Sequence, residues 1–318
     1  MGMVKRLLKE YNIVIILVVL AVAAFLSVPV FSNKTNLLNL LTDLSMYGIL
    51  AVGVTFVLIS GEVDLSIGMS VALSTITCAL FASKLGGAAG LIAPIVTSAA
   101  VSLILGILTT KFRMNSLIAS IAIMTSVQGL CYIIGGGRTV ALTNEFVRSL
   151  YTFKLFGARL LSLPTVVFII VIVAGGIVLY RTRLGREIYV TGGNAEAGYM
   201  TGINISRTKL ICFLICGFLG GIMAILMTSF VYCGAVNYGE GLNLTMISAC
   251  VLGGVKFTGG KGSVIHTLLG ICAMRIIINV SSLLSLSAWA QSTITGVLLI
   301  LVLILDRYNR VQREEDAV

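Results

Sequence analysis

Histidine occurs once, as His266, tryptophan once, as Trp289, proline three times, and charged residues make up only 11% of the 318-residue chain. A single histidine excludes haem or zinc held by histidine pairs. The seven cysteines (Cys78, Cys131, Cys212, Cys216, Cys233, Cys250 and Cys272) include no C-x-x-C spacing and fall mostly inside apolar runs. Neither a zinc site nor a disulfide framework is expected from that pattern. So little charge also excludes a solvated globule. Missing too are the clustered His, Cys or Ser constellations that a membrane-embedded hydrolase would need.

What the chain has in abundance is hydrocarbon, with 58% hydrophobic residues and a mean hydropathy of +1.08. At about 20 apolar residues per crossing, it divides at polar and glycine-rich breaks into ten candidate spans: 12–32, 43–60, 65–83, 89–110, 116–135, 163–180, 209–232, 243–257, 263–282 and 288–305. The expected fold is all-α, a polytopic membrane protein forming one transmembrane domain over 1–318. The first run follows Lys5, Arg6 and Lys9 as a signal peptide would, but it is long enough to cross and lacks a small-residue cleavage pattern, so it reads as a first helix. Segments 43–60 and 243–257 are short and run into glycine-containing turns, as helices that stop or bend inside the membrane do. Their comparable places in the two halves hint at an inverted repeat.

With both ends cytoplasmic, fifteen basic residues fall inside and six outside (Lys34, Lys84, Arg138, Arg148, Lys154 and Arg159), with Arg275 inside a span. That is the positive-inside bias. The net charge of +10 is read in the same way, and no basic patch interleaved with aromatics points to nucleic acid. One more or one fewer span before 136–162 would place that segment's basic residues on the other side.

Two carboxylates interrupt the apolar sequence at Ile59-Ser60-Gly61-Glu62-Val63-Asp64-Leu65-Ser66-Ile67-Gly68. In lipid each would cost roughly 2.5 to 3.5 kcal/mol, so both are expected to face protein, water or the membrane surface. Asp64 has two readings, capping the helix that starts at Leu65 or accepting hydrogen bonds from solute hydroxyls. Arg275, Asn279 and Ser282 share one face of an apolar helix. For Arg275 three readings stand: an ion pair with Asp64 or Glu62 that holds helices together, the lining of a polar pathway, or snorkelling to the interface. Glu62, Asp64, Ser66, Arg275 and Asn279 are the candidate pathway residues.

Arg181 to Lys209 is the one polar stretch large enough to dock a partner. Asn194 suits a helix N-cap, Glu196 an acidic first turn, and Gly202 a stop one residue past Thr201. A solvated connector is the plainer reading of the same residues. His266, Trp289 and the Cys212/Cys216 pair one turn apart are read as packing, an interfacial anchor and small apolar fillers.

Three co-linear blocks resemble one known family. Residues 59–68 are similar to the G-G-x-D-L-S-x-G signature of ribose-type sugar ABC transporter permeases. Gly192-Gly193-Asn194, with Ala197 and then Gly202-Ile203, resembles that family's cytoplasmic coupling segment. Ala249-Cys250-Val251-Leu252-Gly253-Gly254-Val255, continued by Gly259-Gly260-Lys261-Gly262-Ser263, resembles its V-L-G-G-x-x-x-x-G-G-x-G-S stretch. Gly135-Gly136-Gly137-Arg138 and Leu301 to Asp306 fit the same pattern, so the likeness runs from about 40 to 307.

The resemblance implies the transmembrane subunit of an ATP-driven importer for a monosaccharide or similar polyhydroxylated solute, in a bacterial inner membrane. Its implied partners are a cytoplasmic ATP-binding subunit, an extracytoplasmic solute-binding protein and a second permease chain, identical or homologous. No cofactor is expected in this chain, and no catalysis. The nearest approach to a Walker A loop, Thr258 to Ser263, has Gly262 where Ser or Thr is required after the lysine and Val255 where the first glycine belongs. Gly192, Gly193, Asn194, Glu196, Ala197, Tyr199, Thr201 and Gly202 would couple to the ATPase. Gly61, Gly68, Gly253, Gly254, Gly259, Gly260 and Gly262 read first as helix-packing and turn positions. Two features depart from the family pattern: Glu62 replaces its second glycine, and Arg275 stands at a position that is small in relatives. The alternatives are a proton-coupled secondary transporter using Glu62 or Asp64 as proton carrier, or a permease of the related nucleoside and branched-chain amino-acid importers.

Overall fold

A computed structural model describes residues 12–153 and 162–315. The basic residues Lys5, Arg6, Lys9, Lys154 and Arg159 lie outside the described residues. Thirteen helices account for nearly all the regular structure among the rest. In chain order they are α1 (Asn12–Ser27), α2 (Lys34–Ile59), α3 (Ile67–Leu85), α4 (Gly87–Thr110), α5 (Ser116–Gly135), α6 (Glu145–Thr152), α7 (Leu163–Arg181), α8 (Arg183–Gly193), α9 (Ala195–Met200), α10 (Ile205–Val231), α11 (Leu242–Leu252), α12 (Val264–Leu283) and α13 (Ala288–Glu315). Seven of them, α2, α3, α4, α5, α7, α10 and α12, are long and apolar enough to cross a membrane. The expected all-α, multi-pass architecture is therefore observed, and each of the ten expected spans coincides with a helix.

Three helices form the centre. The most apolar stretches of α2, α3 and α10 are 89%, 78% and 67% buried, whereas those of α4, α5 and α7 are 33%, 28% and 28% buried and face outward. α10 packs on α4, α2 and α3, and α12 runs along α2. With lipid outside, apolar surface alone does not drive helices together, and close backbone approach takes its place. A Cβ at Gly217 would lie 2.6 Å from Ser102 Oγ, and one at Gly221 would lie 2.5 Å from Ile95 Cα. These glycines let α10 sit directly on α4. Gly68 does the same for α3, where a Cβ would come within 2.6 Å of the Gly239 carbonyl oxygen.

Two expectations change here. Segment 43–60 was expected to be a short helix, but α2 is continuous over 26 residues. Asn33 caps it by accepting from the Thr35 N–H at 2.9 Å, and Asn36 and Asp43 in its first turns bond to residues of α12. Of the two segments that suggested an inverted repeat, only the second is short: α11 has 11 residues, so that hint loses its basis in length. At the far end of α10 from Lys209, Val140–Ala141 pairs antiparallel with Cys233–Gly234. That ribbon and the 3-10 turn Val236–Gly239 close the end opposite α8 and α9.

Candidate functional site

The three sequence blocks that lie far apart in the chain meet at one point. α2 ends because Gly61 adopts φ +83, with its N–H donating to Leu58 O at 3.0 Å and the next N–H, of Glu62, reaching Val57 O at 3.2 Å. This is the glycine-terminated hydrogen-bond pattern that uses the last free carbonyls of a helix. Glu62, where the resemblance leads to a second glycine, has no left-handed backbone, so its side chain costs no strain there. The Gly260 N–H then donates to Ile59 O at 2.8 Å, tying the α11–α12 loop to the end of α2.

Gly192 and Gly193, at the end of α8, fill the remaining side. Gly192 lies against the Ile59 carbonyl, and a Cβ on it would come 2.7 Å from Gly260 N. A Cβ at Gly259 would lie 2.7 Å from Gly61 Cα and 2.9 Å from Gly192 O, and one at Gly260 would lie 2.6 Å from Gly193 Cα. Backbone therefore touches backbone across three chain segments. Tyr189 adds a side-chain bond, its hydroxyl donating to Gly262 O at 2.7 Å. Burial, with a smaller contribution from neighbouring Tyr180, pushes the Tyr189 phenol up to about 12, which keeps it a donor. Gly253 packs against the His266 carbonyl, while Gly254 lies at a turn with φ +97, where a Cβ would meet nothing within 4 Å.

Beyond the glycines, Asn194 accepts from the Ala197 N–H at 2.9 Å and starts α9. Thr201 follows, and Gly202 at φ +81 ends the helix, with Ile203 N reaching Gly198 O at 3.0 Å. Tyr199 is 71% and Met200 76% exposed, and Glu196 is exposed beside them. Met200 was missed in the sequence, where only its polar neighbours drew notice. α8 was also unexpected. It is an 11-residue helix capped by Thr182, whose hydroxyl accepts from the Gly185 N–H at 3.2 Å.

The carboxylates separate. Glu62 accepts from Lys209 Nζ at 2.5 Å, which joins the end of α2 to the start of α10. Asp64 is buried, and its Oδ1 accepts from the Ser66 N–H at 2.8 Å and the Ser66 hydroxyl at 2.6 Å. It thus fixes the turn before α3, which begins at Ile67 and not at Leu65. Asn243 steadies the same turn by donating to Leu65 O at 2.9 Å.

Arg275 pairs with neither Asp64 nor Glu62, contrary to the first expectation for it. Its Nε donates to Asp43 Oδ2 at 2.6 Å, its Nη2 donates to the same oxygen, and its guanidinium lies 3.8 Å from the centre of the Tyr47 ring. The reason is geometric: α2 begins nine residues earlier than expected, so Asp43 lies inside the helix rather than at its end and faces Arg275 on α12. Seven residues before Asp43, Asn36 exchanges reciprocal amide hydrogen bonds with Asn279, both at 3.0 Å. Arg275 and Asn279 therefore form a polar seam between α12 and α2, while Glu62, Asp64 and Ser66 belong to the other end of α2.

The sequence comparisons agree with this geometry. The family described as Branched-chain amino acid transport system / permease component matches residues 36–303, and so includes all three converging blocks. The chain belongs to this permease family. Among curated relatives, the permease is 34% identical to the L-arabinose ABC transporter permease protein AraH of Azospirillum brasilense over 98% of its own length and 91% of that protein. It is 33% identical to the L-arabinose transport system permease protein AraH of Escherichia coli, over 96% and 92% of the two chains. The ribose import permease protein RbsC of Escherichia coli is 31% identical over 94% of each. The likeness to ribose-type sugar ABC permeases read from the motif blocks is confirmed by these matches. No solved structure matches.

Proposed function

We propose that the permease forms the membrane pathway of an ATP-driven importer for a monosaccharide or similar small polyhydroxylated solute. The convergence of Gly61, Gly192 and Gly260 carries this reading. It joins the exposed α9 segment to the ends of α2, α11 and α12, as a helix that receives movement from a cytoplasmic ATPase requires. Glu196, Tyr199 and Met200 are the contact side chains in this reading, Asn194 and Gly202 frame them, and Gly192 and Gly193 pass the movement inward. ATP is bound and hydrolysed by the partner subunit, and the permease needs no cofactor. An extracytoplasmic binding protein delivers the solute, and a second permease chain completes the pathway, by default in a symmetric pair.

The same geometry supports a bacterial inner-membrane location with both termini cytoplasmic. Arg113 lines a small pocket with Tyr199 and Asn204. Lys209, Lys256 and Lys261 lie around the junction, so basic residues cluster at the end that this topology places inside. Arg148, stacked 4.6 Å from the Tyr232 ring centre, marks the other end.

The test is affinity purification of the mildly solubilised permease from its host, with mass spectrometry of what accompanies it. Recovery of a Walker A-bearing ATPase, lost on Glu196→Ala and Tyr199→Ala substitution, is the expected result. Recovery of the permease alone, with uptake driven by a pH gradient in vesicles, would overturn the reading in favour of proton coupling.

A further inference from the structure

A cavity of about 460 Å³ opens where α2, α12 and α13 meet the 3-10 turn and the start of α11, and its walls include Tyr47, Asn237, Tyr238, Glu240, Arg275 and Gln291. That volume lies within the roughly 300–1,000 Å³ typical of small-molecule sites. Its position is set by α2, on which Tyr47 precedes the junction residue Ile59 by twelve residues, or about 18 Å of helix. The cavity is therefore remote from Glu62 and Asp64 and lies toward the end closed by the ribbon.

We infer that this cavity is the permease's solute subsite and that it accepts a neutral polyol, with Arg275 as a specificity-determining residue. The inference rests on the importer reading and deepens it.

Charge decides the class of ligand. The Arg275 side chain is only 10% exposed and Asp43 matches its charge, while the remaining wall charge, Glu240, is exposed and solvated, so an anion or cation held beside Arg275 would leave an excess charge in the membrane. A guanidinium carries five N–H donors, and two bonds to Asp43 leave donors over for hydroxyl oxygens. Glu240, the Asn237 amide and the oxygen of the Gln291 amide, whose nitrogen donates to Leu286 O at 3.1 Å, offer acceptors as well as donors, which is what vicinal hydroxyls require. Tyr238 is held by a 3.1 Å contact between its hydroxyl and Cys233 Sγ and by packing against the core, and as part of the cavity wall it adds an apolar aromatic surface for the C–H side of a sugar. A purely structural ion pair accounts for Asp43 and Arg275 but not for the convergence of these other polar side chains on the same space.

The inference is tested in the complete importer, reconstituted with its ATP-binding and solute-binding partners, using radiolabelled D-ribose, L-arabinose, D-xylose and D-glucose as probes. Gln291→Leu removes a polar wall group, and Ser292→Trp fills the cavity from α13; neither residue packs in the bundle core. Both are expected to lower uptake about tenfold or more while the complex assembles and continues to hydrolyse ATP. Unchanged uptake in both variants would overturn the subsite while leaving the importer reading intact. Joint loss of uptake and hydrolysis in both variants would also overturn it, because the wall would then serve assembly. Accumulation by the unaltered importer of a branched-chain amino acid and of none of the sugars would instead reject the solute class itself.

Discussion

Lys209 and Glu62 stand 147 positions apart in sequence and meet at 2.5 Å, binding the helix that follows the α9 segment to the turn that ends α2. A glutamine at position 62 retains a carbonyl oxygen for the ammonium to donate to, whereas removal of either long side chain leaves a polar group partly buried without its partner. Glu62→Gln is expected to keep most of the transport activity. Lys209→Met should lower thermal stability by about 1 to 3 kcal/mol, and the double variant Glu62→Leu/Lys209→Met should regain part of it. Thermal unfolding of the purified complex, read beside uptake, measures all three. Abolition of uptake by Glu62→Gln would point to proton carriage instead.

Gly192 and Gly202 are both glycines of the segment proposed to couple to the ATPase, but their surroundings differ. A methyl group at Gly192 has no room against Ile59 and Gly260, while at Gly202 it meets nothing within 4 Å and only the positive φ opposes it. Gly202→Ala should therefore cost about 1 kcal/mol and leave transport largely intact. Gly192→Ala should separate α8 from α2 and abolish transport even where the protein reaches the membrane. Surface expression compared with uptake distinguishes the two effects.

The Asp43–Arg275 pair predicts a non-additive result. Asp43→Asn or Arg275→Met alone leaves one charge inside the bundle, at a cost of about 3 kcal/mol or more. The double variant removes both charges and is expected to recover the folded yield. By the argument for the cavity it should not recover sugar uptake. Folded yield in detergent and uptake in cells, scored separately, check both halves.

Tyr189 gives a pH dependence. Its phenol ionises near 10.0 when unconstrained and is pushed up to about 12 in the folded chain. The neutral, donating form is the one the junction stabilises. Its contribution is therefore fully present below pH 10 and is lost between about pH 10 and 12. Tyr189→Phe should remove that component from the alkaline limb of a stability profile and the corresponding phenolate absorbance step.

The spans were legible because each is an apolar run near the length a membrane demands. The first part of α2 was not, since Lys34, Asn36 and Asn39 interrupt the apolar pattern and the expected span started only at Asp43. Asn36 and Asp43 are polar because Asn279 and Arg275 face them from α12, and no local pattern reports a partner more than 200 positions away. The same distance explains why Arg275 was matched with the wrong carboxylate. α9 was legible through Asn194 and Gly202, whose capping roles are local. α8 was obscured by Gly185, Gly192 and Gly193, which disfavour helix on propensity and are retained for tertiary contact. The glycine blocks could be recognised one at a time, but their meeting is a property of the folded bundle.

The junction of Gly61, Gly192, Gly259 and Gly260 contains almost no side-chain atoms. Where helices meet through side chains, a small displacement is partly absorbed as rotamers readjust. Here the contacting surfaces are main chain, with no torsions of that kind to yield, so any displacement of α8 against α2 under the proposed coupling would be transmitted with little loss. The joint behaves as a stiff bearing, and its tolerance to substitution is correspondingly narrow: drift in the surrounding sequence is permitted, while the clearance at these few positions is fixed by the width of the polypeptide backbone itself.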